Sequence, residues 1–285
     1  MQEIRLTERL QRVLTLAEKE IREESILYPI HLLIASLKEK TSILGELRLK
    51  LPMEICDLKN ISTQMECSEK GNNHRYFKCK VSNEVLNVII KAESIMDKYS
   101  QVYLNEGHII ESIFSLDNEV NKLLSGEVKE LILEITTTGR DLAVCLEEYK
   151  EKELNCTSNI VRRAEVTDRE ALYNFIVREF NEQWANNVIN GLDIEKPSVF
   201  IATKGNEILG FGAYDVVRGK KGLFGPMGIK KECRVKNIGY SILHNCLRDM
   251  KEIGYEYIII DDAGPIEFYE KSCGAVLIYN KWILS

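Results

Sequence analysis

Gly222-Leu-Phe-Gly-Pro-Met-Gly-Ile229, continued by Lys230-Lys-Glu-Cys-Arg-Val-Lys-Asn-Ile-Gly239, decides how the second half of the chain folds. The first run is apolar and contains glycine, which reads as a strand. The second is a basic loop, and beyond it Ile242, Leu243, Cys246, Leu247, Met250 and Ile253 recur at helical spacing. A strand, a basic loop and a helix N-terminus in succession grip a phosphate. First-turn N–H groups have no intrahelical partner, and the helix dipole adds roughly half a positive charge there. From Arg218 to Lys236 seven Lys or Arg residues face one acid, Glu232, in a chain of net charge −6. An anion is expected at this loop.

The residues on either side extend the pattern. Asn159-Ile-Val-Arg-Arg-Ala164 reads as a strand, and Thr167-Asp-Arg-Glu170 as a capping box opening a helix through Leu172, Phe175, Ile176 and Phe180. A short helix around Trp184–Ile189 follows. Ser198–Thr203 and Ile208–Tyr214 are strands around Lys204-Gly-Asn-Glu207, a hairpin signal. After the loop and its helix come a strand at Tyr257–Asp261, a helix at Ile266–Ser272 and a strand at Ala275–Tyr279. Strands and helices in this order predict a mixed sheet covered by helices.

The first half carries an internal repeat. Thr7-Glu-Arg-Leu-Gln-Arg-Val-Leu-Thr-Leu-Ala-Glu18 is echoed by Ser82-Asn-Glu-Val-Leu-Asn-Val-Ile-Ile-Lys-Ala-Glu93. Leu10, Val13, Leu14 and Ala17 thus match Val85, Val88, Ile89 and Ala92, one apolar stripe at helical spacing. Thr7 and Ser82 stand at N-cap positions. His31 corresponds to His108, and Ile43 and Leu47 to Val120 and Leu124. Neither unit alone can bury its stripe, so two packed units make an all-helical domain. The paired histidines read as hydrogen-bonded packing residues at helix starts.

The totals exclude several classes. At 285 residues two domains are affordable, and a pI near 5.5 argues against a general nucleic-acid binder. No apolar run approaches a membrane span, and Met-Gln-Glu-Ile-Arg lacks a secretion signal, so a cytosolic protein is expected. Its eight cysteines form no C-x-x-C pair, and free thiols are the default. The spacing of Cys56, Cys67, His74 and Cys79 matches no common zinc frame, and no metal is expected.

The repeat resembles the amino-terminal domain of the Clp-family chaperone ATPases, a pseudo-twofold pair of four-helix repeats, over residues 1–145. Gly139-Arg-Asp-Leu142 looks like the opening of that family's ATPase module, yet no G-x-x-x-x-G-K-[ST] follows. The resemblance implies a protein-recognition domain that docks a partner. The family's helix-opening Thr-Glu-His, whose Glu reads phosphoarginine in some members, is Pro29-Ile30-His31 and Glu106-Gly107-His108 here, without that Glu. Residues 146–158 read as a charged linker.

Residues 159–285 resemble the Gcn5-related N-acetyltransferase (GNAT) superfamily, whose fold is α+β. The family's phosphate loop, Arg/Gln-x-x-Gly-x-Gly/Ala, reads Arg234-Val-Lys-Asn-Ile-Gly239, with Asn237 in place of the first Gly. Asn best tolerates positive φ among non-Gly residues. The resemblance implies that amides of Val235, Lys236, Asn237, Ile238, Gly239 and Tyr240 hold the pyrophosphate of acetyl-CoA, with attraction from Lys230, Lys231, Arg234 and Lys236. It implies that the strand holding Met227 and Ile229 splays from Tyr257–Asp261, an amide of one of them stabilising the oxyanion. Tyr269, in Tyr269-Glu-Lys-Ser-Cys-Gly274, matches the family tyrosine that donates a proton to the leaving thiolate. Phe268 is expected to face the core.

The implied reaction is direct acetyl transfer to a primary amine of a small molecule or protein. Asp215, Glu232, Asp261 and Asp262 are available as bases, and none is singled out. Only Ala275–Tyr279 and Lys281–Leu284 remain for the family's closing strands. The last strand is stunted or supplied by a second molecule in a dimer. The rival class is a non-enzymatic docking module with a degenerate acyl-CoA sensor.

Overall fold

The computed structural model describes residues 4–21, 25–64, 70–99, 101–150, 160–234 and 237–279. The chain divides into two units that part between Thr138 and Gly139.

In the first unit, β1 (Arg5–Leu6) precedes α1 (Glu8–Glu18), α2 (Pro29–Lys38), α3 (Ser42–Lys50) and α4 (Ile55–Gln64). The second repeat holds α5 (Asn83–Lys98), β2 (Tyr103–Leu104), α6 (Glu106–Ser115), α7 (Glu119–Leu123) and α8 (Gly126–Thr137). Among the described residues four helices form in each repeat, the several short helices of the internal similarity in the number the Clp resemblance implies. Thr7 and Ser82 accept the N–H groups of Leu10 and Val85, satisfying first-turn donors. Both predicted stripes are buried, from Leu10 to Ala17 and from Val85 to Ala92.

The repeats are joined by one contact made twice. β1, ahead of α1, pairs in parallel with β2, ahead of α6. Leu27, ahead of α2, bridges Val81, ahead of α5, also in parallel. Since α5 repeats α1 and α6 repeats α2, the exchange is pseudo-twofold. Arg9 and Glu106, both buried, tie α1 to α6 at 2.8 Å. His31 Nδ1 accepts the Tyr28 N–H at 2.9 Å, and His108 Nδ1 that of Asn105 at 3.2 Å. Burial holds both imidazoles below their ordinary pKa, His108 at about 4, so both act as neutral helix-start acceptors. Cys56, His74 and Cys79 belong to no ligand cluster among the described residues, and Cys67 lies outside them. No described helix is long and apolar enough to cross a membrane.

The second unit contains β3 (Arg140–Cys145), β4 (Ile160–Arg163), α9 (Arg169–Glu179), α10 (Glu182–Asn190), β5 (Val199–Lys204) and β6 (Glu207–Tyr214). It continues with β7 (Leu223–Ile229), α11 (Ile238–Ile253), β8 (Tyr257–Ala263), α12 (Ile266–Cys273) and β9 (Val276–Leu277). The seven strands run in the order β4-β5-β6-β7-β8-β3-β9. All pairs are antiparallel except β7 with β8.

Three expectations are corrected. The helical unit does not reach residue 145, because Arg140–Cys145 is a strand of the sheet, paired with β8 and β9. Gly139-Arg-Asp-Leu142 therefore opens a strand, and Leu142 and Val144 alternate inward with almost no exposure. The order at that edge of the sheet also differs, because β3 separates β8 from the two-residue β9; Lys281–Leu284, the last strand of the prediction, lies outside the described residues. Thr167 caps nothing: Asp168 carries the turn, its carboxylate accepting the Glu165 N–H at 2.8 Å and pairing with Arg162 at 2.7 Å.

Candidate active site

The register of β7 creates a gap. Leu223 pairs with Ile259 and Phe224 with Ile260, and the β7–β8 ladder then stops. Gly225 sits at φ 125, which favours glycine, and Pro226 has no N–H to give. On its other side β7 stays paired with β6. Lys230 N–H donates to Leu209 at 2.9 Å, so the alternating hydrogen-bonded pairs are Lys230–Leu209 and Gly228–Phe211. The main-chain groups of Met227 and Ile229 consequently point away from β6, toward the gap. The strands part where the family resemblance implied a splay. Gly228 has a different reason to be glycine: a Cβ would meet the Phe180 ring at 2.4 Å. Phe180 stacks on Trp184 at 5.5 Å, forming an aromatic wall along β7 that the sequence reading did not identify.

At the end of β7 stands the N-terminus of α11. Asn237 has φ 58 and ψ 10, the left-handed conformation its side chain tolerates. The Asn237 side chain makes no cap hydrogen bond, and none from another described residue caps the helix. Among the described residues the amides of Ile238 and Gly239 have no hydrogen-bond partner, whereas Ser241 N–H bonds Asn237 O at 3.0 Å. Val235 and Lys236 lie outside the described residues. Ile238 and Gly239 are buried and Tyr240 is half-buried, its ring centroid 3.8 Å from that of His244.

The basic cluster is less open than its composition suggests. Lys230 pairs with Glu207 at 2.7 Å. Arg234 turns its Nε to Ile229 O at 3.0 Å, and burial lowers its pKa against the opposing fields of Glu179 and Glu232. Arg234 therefore braces the end of β7 through its Nε. Long flexible cations find local carboxylates and carbonyls, which residue counting does not register.

Tyr269 and Phe268 are placed differently from expectation. Phe268 does not face the core: it is half-buried, and a Cβ on Gly239 would lie 3.7 Å from its Cζ. Tyr269 is buried, its ring meeting Phe224 edge-on at 6.3 Å, beside the point where β7 and β8 part. Burial raises its pKa, with Cys273 and Cys246 nearby adding to the effect, so the phenol keeps its proton. Of the candidate bases, Asp215 accepts from Gly222 N–H at 2.7 Å and Tyr255 Oη at 2.8 Å, a structural duty. Asp261 lies 3.6 Å from Arg218.

Residues 162–275 match the model of the acetyltransferase (GNAT) family. No curated protein matches the chain. Among solved structures, the chain is similar to a GCN5-related glucosamine N-acetyltransferase region of a fungal multi-domain GH3 β-N-acetylglucosaminidase, at 15% identity and TM-score 0.43. That match covers 50% of this chain and only 20% of the other. Similarity to a GCN5-related N-acetyltransferase from Sphaerobacter thermophilus has 16% identity and TM-score 0.41, over 54% of each chain. The N-terminal domain of the chaperone ClpD from Arabidopsis thaliana is similar at 18% identity and TM-score 0.37, over 46% of this chain and 92% of that one. The matched residues begin after β3 and include the gap, the α11 loop and Tyr269, so residues 162–275 are a domain of the GNAT acetyltransferase family.

Proposed function

We propose that the chain is an acetyl-CoA-dependent N-acetyltransferase that joins acetyl-CoA and a primary amine in a ternary complex. The observation that carries this reading is the break in β7–β8 pairing after Phe224, with Met227 and Ile229 facing the gap and, among the described residues, unpaired amides of Ile238 and Gly239 at its end. Unpaired amides on a rigid strand and at a helix start suit an anionic, amide-bearing ligand. Acetyl-CoA would supply an activated acetyl group and a thiolate leaving group there.

The residues that would hold it are the amides of Ile238 and Gly239, with the loop Arg234–Tyr240 around the pyrophosphate. Met227 and Ile229 would pair with the pantetheine arm. An amide of β7 facing the gap is preorganised to stabilise negative charge on the acetyl oxygen. Tyr269 holds a proton at Oη, kept there by burial, and would give it to the sulfur as the C–S bond breaks and the C–N bond forms; the proton shed by the amine nitrogen would pass to solvent, from which Tyr269 is reprotonated. The helical unit is assigned a recognition role toward a protein partner.

The test is thiol release from acetyl-CoA across a panel of primary amines, with calorimetry for coenzyme binding. Tyr269→Phe should lower kcat by about 10²- to 10⁴-fold while leaving coenzyme affinity nearly intact. Equal kcat would remove Tyr269 from the reaction, and no thiol release with any amine would reject the enzymatic reading.

A further inference from the structure

The closed end of the gap is built from a row of register partners. Tyr214 on β6 pairs with Phe224 on β7, Phe224 with Ile260 on β8, and Ile260 with Leu142 on β3. None of the four is more than 2% exposed. Register partners share a face, and on this one the Phe224 ring meets Tyr269. We propose that Phe224 and Ile260, the last pair before β7 and β8 part, limit the acyl chain of the thioester to acetyl or propionyl. The inference rests on the acetyl-transfer reading and adds a donor class to it, short-chain acyl-CoA, with butyryl and longer chains excluded.

Position is the first argument. In that reading a β7 amide meets the carbonyl oxygen and Tyr269 meets the sulfur. The acyl chain is the remaining substituent on the same carbon, and it seeks apolar surface. Beyond Ile260, β8 offers half-buried Asp261 and exposed Asp262. The far end of the gap leads to the amides of Ile238 and Gly239. Apolar side chains close the gap where the strands meet, at Phe224 and Ile260.

Rigidity is the second. Tyr214, on one flank of the pair, is anchored through its Oη, which donates to buried Asp249. Leu142, on the other flank, is fully buried between β8 and β9. Tyr269 covers Phe224, and the Phe268 ring stands edge-on to Tyr269 at 5.0 Å. Interiors packed this closely yield little, so a longer chain has to displace the whole row. One methylene too many in a filled apolar pocket is disfavoured about 10- to 200-fold.

The third argument is the contrast with the opposite face. There Leu223, Ile259, Ala143 and Val276 are register partners, and exposure rises along the row to 62% at Val276. That row contains no aromatic ring and opens toward solvent. Chain length is therefore limited on the Tyr269 face alone.

The experiment is calorimetry of the full chain with CoA, acetyl-CoA and butyryl-CoA in the absence of amine, followed by thiol release with an accepted amine. Wild type should bind butyryl-CoA about tenfold or more weakly than acetyl-CoA, and use it with a kcat/KM about a hundredfold lower. Phe224→Ala should narrow both ratios about tenfold or more, and the milder Ile260→Val should narrow them severalfold. Leu223→Ala, one residue along on the other face, should leave both ratios within twofold of wild type. Unchanged affinity for CoA itself reports an intact fold, and where Phe224→Ala loses that affinity Ile260→Val decides. Equal handling of the two thioesters by wild type overturns the assignment while the coenzyme site stands. So does a ratio unmoved in Ile260→Val, or one that moves as far in Leu223→Ala as in Phe224→Ala. Thiol release with no amine rejects the enzymatic reading, and the binding ratios still decide the limit. No affinity for CoA or either thioester overturns the coenzyme site and this inference with it.

Discussion

Strand β3 should stabilise the sheet-containing unit and not the helical one, and Leu142→Ala tests this. Leu142 is fully buried and faces Ile260 on β8 and Leu277 on β9. Truncating a buried leucine costs about 2–5 kcal/mol through lost transfer energy and the cavity left behind. A value near 3 kcal/mol would be a substantial part of a domain's total stability, roughly 5–15 kcal/mol. The natural assay is native-state hydrogen exchange followed peptide by peptide, because it reports each region separately. A 3 kcal/mol loss accelerates exchange through global opening on the order of a hundredfold. Peptides covering β8 and β9 should show that acceleration, whereas α5 and α6 keep their protection. The control Leu33→Ala, on the fully buried face of α2, should give the reverse pattern. If Leu142→Ala accelerates α5 and α6 and spares β8, the strand assignment is wrong.

Three further outcomes follow from the packing. Glu106→Ala leaves buried Arg9 without its 2.8 Å partner and should destabilise the helical unit by about 3–5 kcal/mol in urea unfolding, with Glu106→Gln milder. Asp249, on α11, is raised by burial, but Arg163, Lys196 and Tyr214 outweigh this and hold its carboxyl at about 2. A folded pKa below the unfolded one gives stability that is complete above about pH 4 and lost as pH falls toward 2. The contribution is about 2–3 kcal/mol, and it should vanish from the acid unfolding curve of Asp249→Asn. Asn237→Val puts a β-branched residue at φ 58 and should weaken acetyl-CoA binding about tenfold or more by calorimetry, while Asn237→Gly should not.

Local patterns were legible where local physics decides them. The stripes of α1 and α5, their Thr7 and Ser82 caps, the Gly205–Asn206 hairpin and the left-handed Asn237 all depend on residues within one turn of one another. The break between β7 and β8 was expected from family resemblance, and its cause, Gly225 followed by Pro226, is written in the sequence. Strand β3 was not legible, because its partners lie more than a hundred residues away and its neighbouring sequence is helical. The same limit hid the burial of Tyr269 with Phe268 beside Gly239: adjacent residues on a short helix differ in exposure only through what the sheet presents to them. Nor did composition reveal that Arg234 and Lys230 are engaged with Ile229 and Glu207.

The account depends on the opening between β7 and β8 and the amides of Ile238 and Gly239 at the start of α11 acting together as one coenzyme site. Amide NMR of the full chain during titration with acetyl-CoA tests this most directly. Saturable shifts at Met227, Ile229, Ile238 and Gly239 with a common dissociation constant are predicted. Titration to millimolar concentration without a change at those four amides would contradict it.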